Sequence, residues 1–259
     1  MIEHMAELPE NPTDNTMNLV DSGCRELGIG LSDKQLAQFA LYFHELVEWN
    51  QKFNLTSIIE CGDVQVKHFL DSVASLPIIA EELNVHLPFS QSYHMVDVGT
   101  GAGFPGIPLK IIEPSLKLTL MDGTGKKIRF LSQLITKLGL PKAELVQGRA
   151  EELGRQMGYR GQFDLVVARA VAPLNTLVEY LLPLTRRNGF TVIYKGANSP
   201  EEFMESRNAI SVLGGEMVRF APVHVPYLDQ KRFILLIKKV DRTPDQYPRG
   251  QGLARKSPL

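Results

Sequence analysis

Met95-Val96-Asp97-Val98-Gly99-Thr100-Gly101-Ala102-Gly103-Phe104-Pro105-Gly106 carries an apolar run, opened at Tyr93, straight into four glycines within eight residues. The run Tyr93 to Val98 reads as a buried strand. Ile107-Pro108-Leu109-Lys110-Ile111-Ile112 then resumes with apolar residues at helical spacing and stops at Pro114. Strand, glycine turn and helix in that order form a nucleotide-binding turn, because glycine lets the backbone approach a ligand that a Cβ would exclude. The stretch predicts an α/β fold with a cofactor held at the end of this strand.

Gly101, Gly103 and Gly106 also satisfy the dinucleotide pattern G-x-G-x-x-G, so NAD is a competing cofactor. Two details point away from it. Asp97 stands two residues before Gly99, at the mouth of the expected site, where it could pair with an ammonium or hold a cationic ligand through water. A pyrophosphate would be repelled there, and Pro105 and Pro108 remove two amide donors from the helix start. A ligand with an amino-acid tail and a positive sulfur suits this chemistry, which favours S-adenosylmethionine.

The chain has 259 residues, 44% of them hydrophobic, enough for a full α/β core and an appendage. No run approaches about 18 apolar residues and the start is acidic and polar, so neither a membrane span nor a signal peptide is expected. Cys24 and Cys61 lack metal-site spacing and read as thiols of a reducing, cytoplasmic compartment; no metal is expected. The net charge of −1 hides an asymmetry. Residues 1–60 hold three bases against ten acids, whereas 117–149 hold seven against two and 219–259 nine against three. A polyanion would meet the later segments, though solvated faces account for such charge equally simply.

Residues 1–17 read as a disordered tail, 18–92 as an N-terminal helical cap, 93–240 as the catalytic domain and 241–259 as a basic tail. Ser32 and Gln35 make a capping box at the start of a helix whose apolar positions include Leu36, Phe39, Phe43 and Leu46. A second helix is expected from Val64 to about Leu76, ending before Pro77. Beyond Tyr93, strands are expected at 116–121, 143–147, 164–168 and 191–194. Helices fall near 126–138, 151–157 and 173–187, the last broken at Pro183. This alternation implies a doubly wound, mostly parallel sheet. Strands at 217–225 and 232–239, joined around Leu228-Asp229-Gln230, close it in antiparallel fashion. Such an ending is common in S-adenosylmethionine methyltransferases and rare in nicotinamide domains.

Several residues then fall at the carboxyl edge of the sheet, where ligands of such folds bind. Asp122, after the second strand, suits both ribose hydroxyls of an adenosine cofactor. In Gly148-Arg149-Ala150-Glu151-Glu152, the Ala150 N–H and the Glu151 carboxylate match the polar edges of adenine, although an acidic first helical turn explains them as well. Arg169 and Lys195 leave the fourth and fifth strands on the substrate side. A buried arginine there needs a partner, with Asp97 or a phosphate the candidates. His68 and Asp71 share one helical face and are expected to pair. An Asn/Asp-Pro-Pro-Tyr tetrad is absent after the fourth strand, and no cysteine lies on the crevice edge. A purine N7 has a free lone pair and needs no general base, only alignment.

The chain closely resembles the bacterial small-subunit rRNA guanine-N7 methyltransferases, the methyltransferase G or glucose-inhibited division protein B family. The resemblance runs through Trp49-Asn50 to Asn54-Leu55-Thr56-Ser57, His68 to Ser72, Val96 to Leu109 with its two prolines, Lys126 to Leu131, Gly148 to Glu152, Ala168 to Ala172 and Lys195-Gly196. It implies a Rossmann-like methyltransferase sheet and methyl transfer from S-adenosylmethionine to N7 of a guanine in the decoding-region loop of 16S rRNA. It carries the family's cofactor contacts onto Gly99, Phe104, Ala150, Glu151 and Arg169, and the ribose acid onto Asp122; the glycine turn adds Asp97, Gly101 and Gly103. Arg169 and Lys195 are the expected catalytic pair. Lys126, Lys127, Arg129, Lys195 and Arg249 are expected to meet the rRNA or the small subunit, with the protein a monomer. Gly123-Thr124-Gly125 departs from the family's usual Ser-Leu and loosens the loop after the acid. A nicotinamide oxidoreductase and a ribosome-binding protein with a vestigial cofactor site stand as alternatives.

Overall fold

The computed structural model describes residues 16–169, 172–196, 199–250 and 252–259. Its strands are β1 (His94–Val98), β2 (Lys117–Asp122), β3 (Ala143–Gln147), β4 (Phe163–Arg169), β5 (Thr185–Lys195), β6 (Gly215–Val223) and β7 (Arg232–Lys239). They form one sheet in the order β3-β2-β1-β4-β5-β7-β6, in which β1 to β5 run parallel and β7 pairs antiparallel with both β5 and β6. The expected antiparallel ending is therefore the last strand of the chain, inserted one place in from the edge.

β1 sits centrally and is covered on both faces, which explains its unbroken apolar run. Met95 belongs to the apolar layer on one face, Val96 and Val98 to the layer on the other. The chain leaves β1 toward β2 on one side, while β4 lies on the other. This reversal of winding opens a crevice at the carboxyl ends of β1 and β4.

The helices are α1 (Asn18–Glu26), α2 (Asp33–Phe53), α3 (Cys61–Val64), a π-helical turn Gln65–Leu70, α4 (Asp71–Val73), α5 (Leu76–Leu83), α6 (Gly106–Ile112), α7 (Gly125–Lys137), α8 (Ala150–Leu153), α9 (Leu174–Leu181), α10 (Ser199–Val212) and α11 (Leu253–Lys256). The helices of the N-terminal region share the core of one sheet face: Phe39, Tyr42, Leu46 and Phe69 join Leu109, Ile111 and Leu118. α9 and α10 cover the other face. None of the helices among the described residues is long and apolar enough to cross a membrane.

The capping box forms as expected, with Gln35 N donating to Ser32 Oγ and Ser32 N to Gln35 Oε1. Pro77, expected to stop a helix, sits instead in the first turn of α5, where its missing N–H costs nothing. The helix expected over 173–187 ends at Leu181, and β5 begins at Thr185 rather than at 191. Neither α1 nor α10 is anticipated by periodicity. α1 buries Val20, Gly23 and Cys24, two of them too small to signal a stripe, and α10 is acidic at its start.

Of the tail expected over 1–17, residues 1–15 lie outside the described residues, and Met17 is buried. The basic C-terminal segment lies along the body. Arg160 donates to the carbonyls of Gly154, Thr243, Pro244 and Tyr247, and Arg155 to those of Gln246 and Pro248.

Candidate active site

Three glycines after β1 adopt left-handed backbone angles, φ +69° at Gly99, +63° at Gly101 and +103° at Gly103, which side-chain-bearing residues rarely adopt. The turn is tied down on every side. Gly99 N and Thr100 N donate to Met121 O at 2.8 and 3.1 Å, and the Tyr42 hydroxyl donates to Ala102 O at 2.6 Å. A Cβ on Gly103 would lie 2.6 Å from that hydroxyl, whereas one on Gly101 would meet no protein atom nearer than 3.9 Å. Gly103 thus serves packing, and Gly101 faces open space.

Asp97 corrects an expectation. It lies beneath the turn, fully buried, not at the mouth: Oδ2 accepts from Thr100 Oγ1 at 2.7 Å and from Gly106 N at 2.8 Å. Oδ1 is sealed from solvent and has no partner among the described residues. The side chain braces the cradle and does not line the crevice.

The crevice has two parts that meet at Gly99. The smaller, about 290 Å³, lies between Asp122 at one end and Ala150, Glu151 and Tyr180 at the other. Asp122 Oδ2 accepts from Gly101 N at 3.0 Å and Oδ1 from Thr124 N at 2.8 Å, leaving lone pairs for a diol. The Ala150 N–H lies in the first turn of α8, where a helix leaves its amides without intrahelical partners. An acid for a ribose, an amide and a carboxylate for a purine edge, and a glycine with open space beside it form a donor set that fits S-adenosylmethionine. The larger part, about 650 Å³, is walled by His68, Asp71, Phe104, Arg169, Lys195 and Arg232 among others.

The family model for rRNA small subunit methyltransferase G (GidB) matches residues 35–232. The chain belongs to this family. The Ribosomal RNA small subunit methyltransferase G of Alkaliphilus metalliredigens is 44% identical over 243 residues, 93% of this chain and 98% of that one. The Lactobacillus acidophilus protein of the same name is 45% identical over 229 residues, covering 88% and 93%. Among solved structures, the cyclase SpnF superposes with a TM-score of 0.50 at 14% identity over 66% of this chain and 81% of that one, a likeness of fold alone. Membership in the methyltransferase G family makes the chain an S-adenosylmethionine-dependent rRNA methyltransferase, and the nicotinamide reading finds no support.

For a methyltransferase G protein, the notable feature of the larger part is how its cations are held. Arg169 and Lys195 end β4 and β5 on the crevice edge, as expected. Arg169 is held by Asp71 rather than by Asp97: Nη1 donates to Asp71 Oδ2 at 2.7 Å, and the guanidinium lies 5.2 Å over the Phe104 ring. Asp71 Oδ1 accepts in turn from Arg232 Nε at 3.0 Å. One buried carboxylate from the helical region therefore clamps two arginines from β4 and β7. Lys195 Nζ is held by Glu202 Oε2 at 2.5 Å and Ala172 O at 3.2 Å.

The expected His68–Asp71 pair does not form. The turn carrying His68 is π-helical, so residues three apart no longer stack, and Asp71 is taken by arginines. His68 instead stacks on Phe104, centroids 4.5 Å apart, with Nε2 and Thr56 Oγ1 at 2.9 Å. Burial, reinforced by Arg169, pushes its pKa down to about 4, so the ring is neutral near pH 7. The clamp of Asp71 on Arg169 and Arg232 has no signal in the sequence, because its partners lie 98 and 161 residues from the carboxylate.

The expected RNA-facing cations are dispersed. Lys127 lines the larger part, 3.4 Å from Asp122 Oδ2. Lys126 and Arg129 lie outside it, exposed, over Phe53. Arg249 lines neither part; its guanidinium grips the buried Glu179, with Nη2 to Oε2 at 2.6 Å.

Burial raises the Asp97 pKa from 3.8 to about 6, partly offset by the Thr100 and Gly106 hydrogen bonds. Its folded pKa lies above the unfolded one, so its contribution to stability is complete below pH 3.8 and is lost as pH rises through about 6. His68, with its folded pKa lowered, acts oppositely, giving stability above pH 6.5 that is lost as pH falls through about 4. Asp97→Asn removes only the first effect. The stability of this variant relative to the native protein should rise by up to about 3 kcal/mol between pH 4 and pH 6. Urea unfolding at a series of pH values measures this, and a pH-independent difference would contradict it.

Proposed function

We propose that this protein transfers the methyl group of S-adenosylmethionine to N7 of a guanine in the decoding-region loop of 16S rRNA. It acts as a monomer in the cytoplasm, on the small subunit or its rRNA. The observation that carries the reading is the pairing of an adenosine-sized hollow with a larger chamber whose carboxylates, Asp71 and Glu202, are engaged in clamping its cations. S-adenosylmethionine, when bound, supplies a methyl group on a positively charged sulfur. The in-plane lone pair of guanine N7 forms the new bond as the methyl–sulfur bond breaks, and the positive charge moves from sulfur to the base without any proton leaving.

The residues then have positional tasks. Asp122, Glu151 and the Ala150 amide would hold the adenosine part beside the turn from Gly99 to Gly103, which Asp97 braces from below. Phe104 is buried and stacked by Tyr42 and His68, with Arg169 over its ring, so it anchors the chamber wall and holds His68 and Arg169 in place. Arg169 and Lys195, held by Asp71 and Glu202, keep fixed donors toward the substrate, so little reorganisation is needed at the moment of transfer. The basic residues at the rim answer the phosphates.

The test is transfer of labelled methyl from S-adenosylmethionine to intact small subunits and to stripped 16S rRNA. Label in the small-subunit RNA is the expected result, and the better substrate shows when in assembly the enzyme acts. Failure to label either, with cofactor binding demonstrated, would overturn the proposal.

A further inference from the structure

α2 ends in Phe53 at the corner where the chain turns into the crevice wall. Asn50 Oδ1 makes that turn by accepting from Leu55 N and Thr56 N at 2.6 and 2.9 Å, and Thr56 goes on to contact His68. The half-buried Phe53 ring rests against Trp49, centroids 5.5 Å apart, and Trp49 rests on the buried Phe130 at 5.7 Å. Two cations from the first turns of α7 lie over the same ring, Lys126 Nζ at 5.6 Å and the Arg129 guanidinium at 5.9 Å from its centroid. Both are exposed, and among the described residues neither is ion-paired. Lys127, between them in sequence, reaches into the crevice.

An aromatic ring fixed at a helix end, backed by a second ring and carrying two uncommitted cations, suits an unpaired nucleotide. The ring meets a base, and the cations meet the phosphates on either side of it. We propose that Phe53, Lys126 and Arg129 form a stacking platform for a nucleotide of the rRNA loop that neighbours the target guanine, an inference that rests on the rRNA reading above. The base slides between ring and cations, and the platform holds the loop open while the target base enters the larger chamber. A protein partner would not need the π face, and the charge here complements phosphate.

The experiment uses the full chain and an RNA hairpin carrying the decoding-region loop, with affinity measured across a salt series and methylation of the hairpin followed in parallel. Phe53→Leu keeps apolar volume but removes the π face. It should weaken RNA binding about tenfold while leaving the melting temperature and S-adenosylhomocysteine affinity unchanged. Phe53→Trp should bind at least as tightly as the native protein. Lys126→Gln with Arg129→Gln should lower the slope of log affinity against log salt by about 2. Native-like RNA affinity in Phe53→Leu, with the hairpin still methylated by the native protein, would overturn the platform alone. Loss seen with intact subunits but not with the hairpin would put a ribosomal protein there and also overturn it. A native protein that neither binds nor methylates any small-subunit RNA would overturn the rRNA reading, and the platform with it.

Discussion

Asp71→Asn should cut methyl transfer by about a hundredfold while leaving S-adenosylhomocysteine affinity close to native. Asp71 is buried and touches the cofactor half at no point, yet its two oxygens hold Arg169 and Arg232 at 2.7 and 3.0 Å. Asparagine keeps the volume but offers one acceptor in place of two and presents an N–H group to a guanidinium. A guanidinium released from its clamp no longer points at a fixed place, and a displacement of about 1 Å at a reacting centre costs roughly a hundredfold in rate. The loss should fall mainly on kcat. Stability should drop as well, by about 3–5 kcal/mol, since removing one partner of a buried ion pair leaves its charge uncompensated. Arg232→Gln separates the two effects, because it keeps the Arg169–Asp71 bond while removing one side of the clamp. Its expected effect on turnover is smaller. Native turnover in a folded Asp71→Asn protein would show that Arg169 needs no positioning.

Asp122→Ala should abolish useful cofactor binding, weakening S-adenosylhomocysteine affinity by about a thousandfold in calorimetry. Two hydrogen bonds from ribose hydroxyls to a charged acceptor are each worth about 1.5–3 kcal/mol. The same carboxylate also ties the cradle to the loop after β2 through Gly101 N and Thr124 N, so its removal loosens the site as well as emptying it of an acceptor. The adjoining Gly123-Thr124-Gly125 provides little rigidity to compensate. Thermal unfolding should shift far less than affinity does. Tight binding retained by Asp122→Ala would remove the acid from the cofactor site.

The sheet was readable because its signals are local. A strand running into glycines, prolines placed against an anion-binding helix and regular alternation of strand and helix each lie within a short window. The carboxyl-edge positions of Asp122, Arg169 and Lys195 followed from that alternation alone. What sequence did not yield depends on partners far along the chain. Arg169 and Asp71 are 98 residues apart, and nothing in either segment says that they meet. Asp97 illustrates a subtler limit. An acid two residues before a glycine turn is compatible with pointing at a ligand or with lying under the turn, and only the packing of Thr100 and Gly106 decides. His68 was placed by assuming ordinary helical spacing where the backbone is π-helical. Arg249 counted as a free positive charge because the buried Glu179 that binds it lies 70 residues away.

The proposed reaction places the methyl group on one atom of one base, so the decisive measurement locates that methyl. Small subunits lacking the modification would be incubated with the enzyme and S-adenosylmethionine, and their 16S rRNA treated with borohydride and aniline, which cleave the chain at N7-methylated guanine. One new scission is expected, at a guanine of the decoding-region loop, absent when the Asp122→Ala enzyme replaces the native one. Methyl label incorporated without any scission, or scission outside that loop, would contradict it.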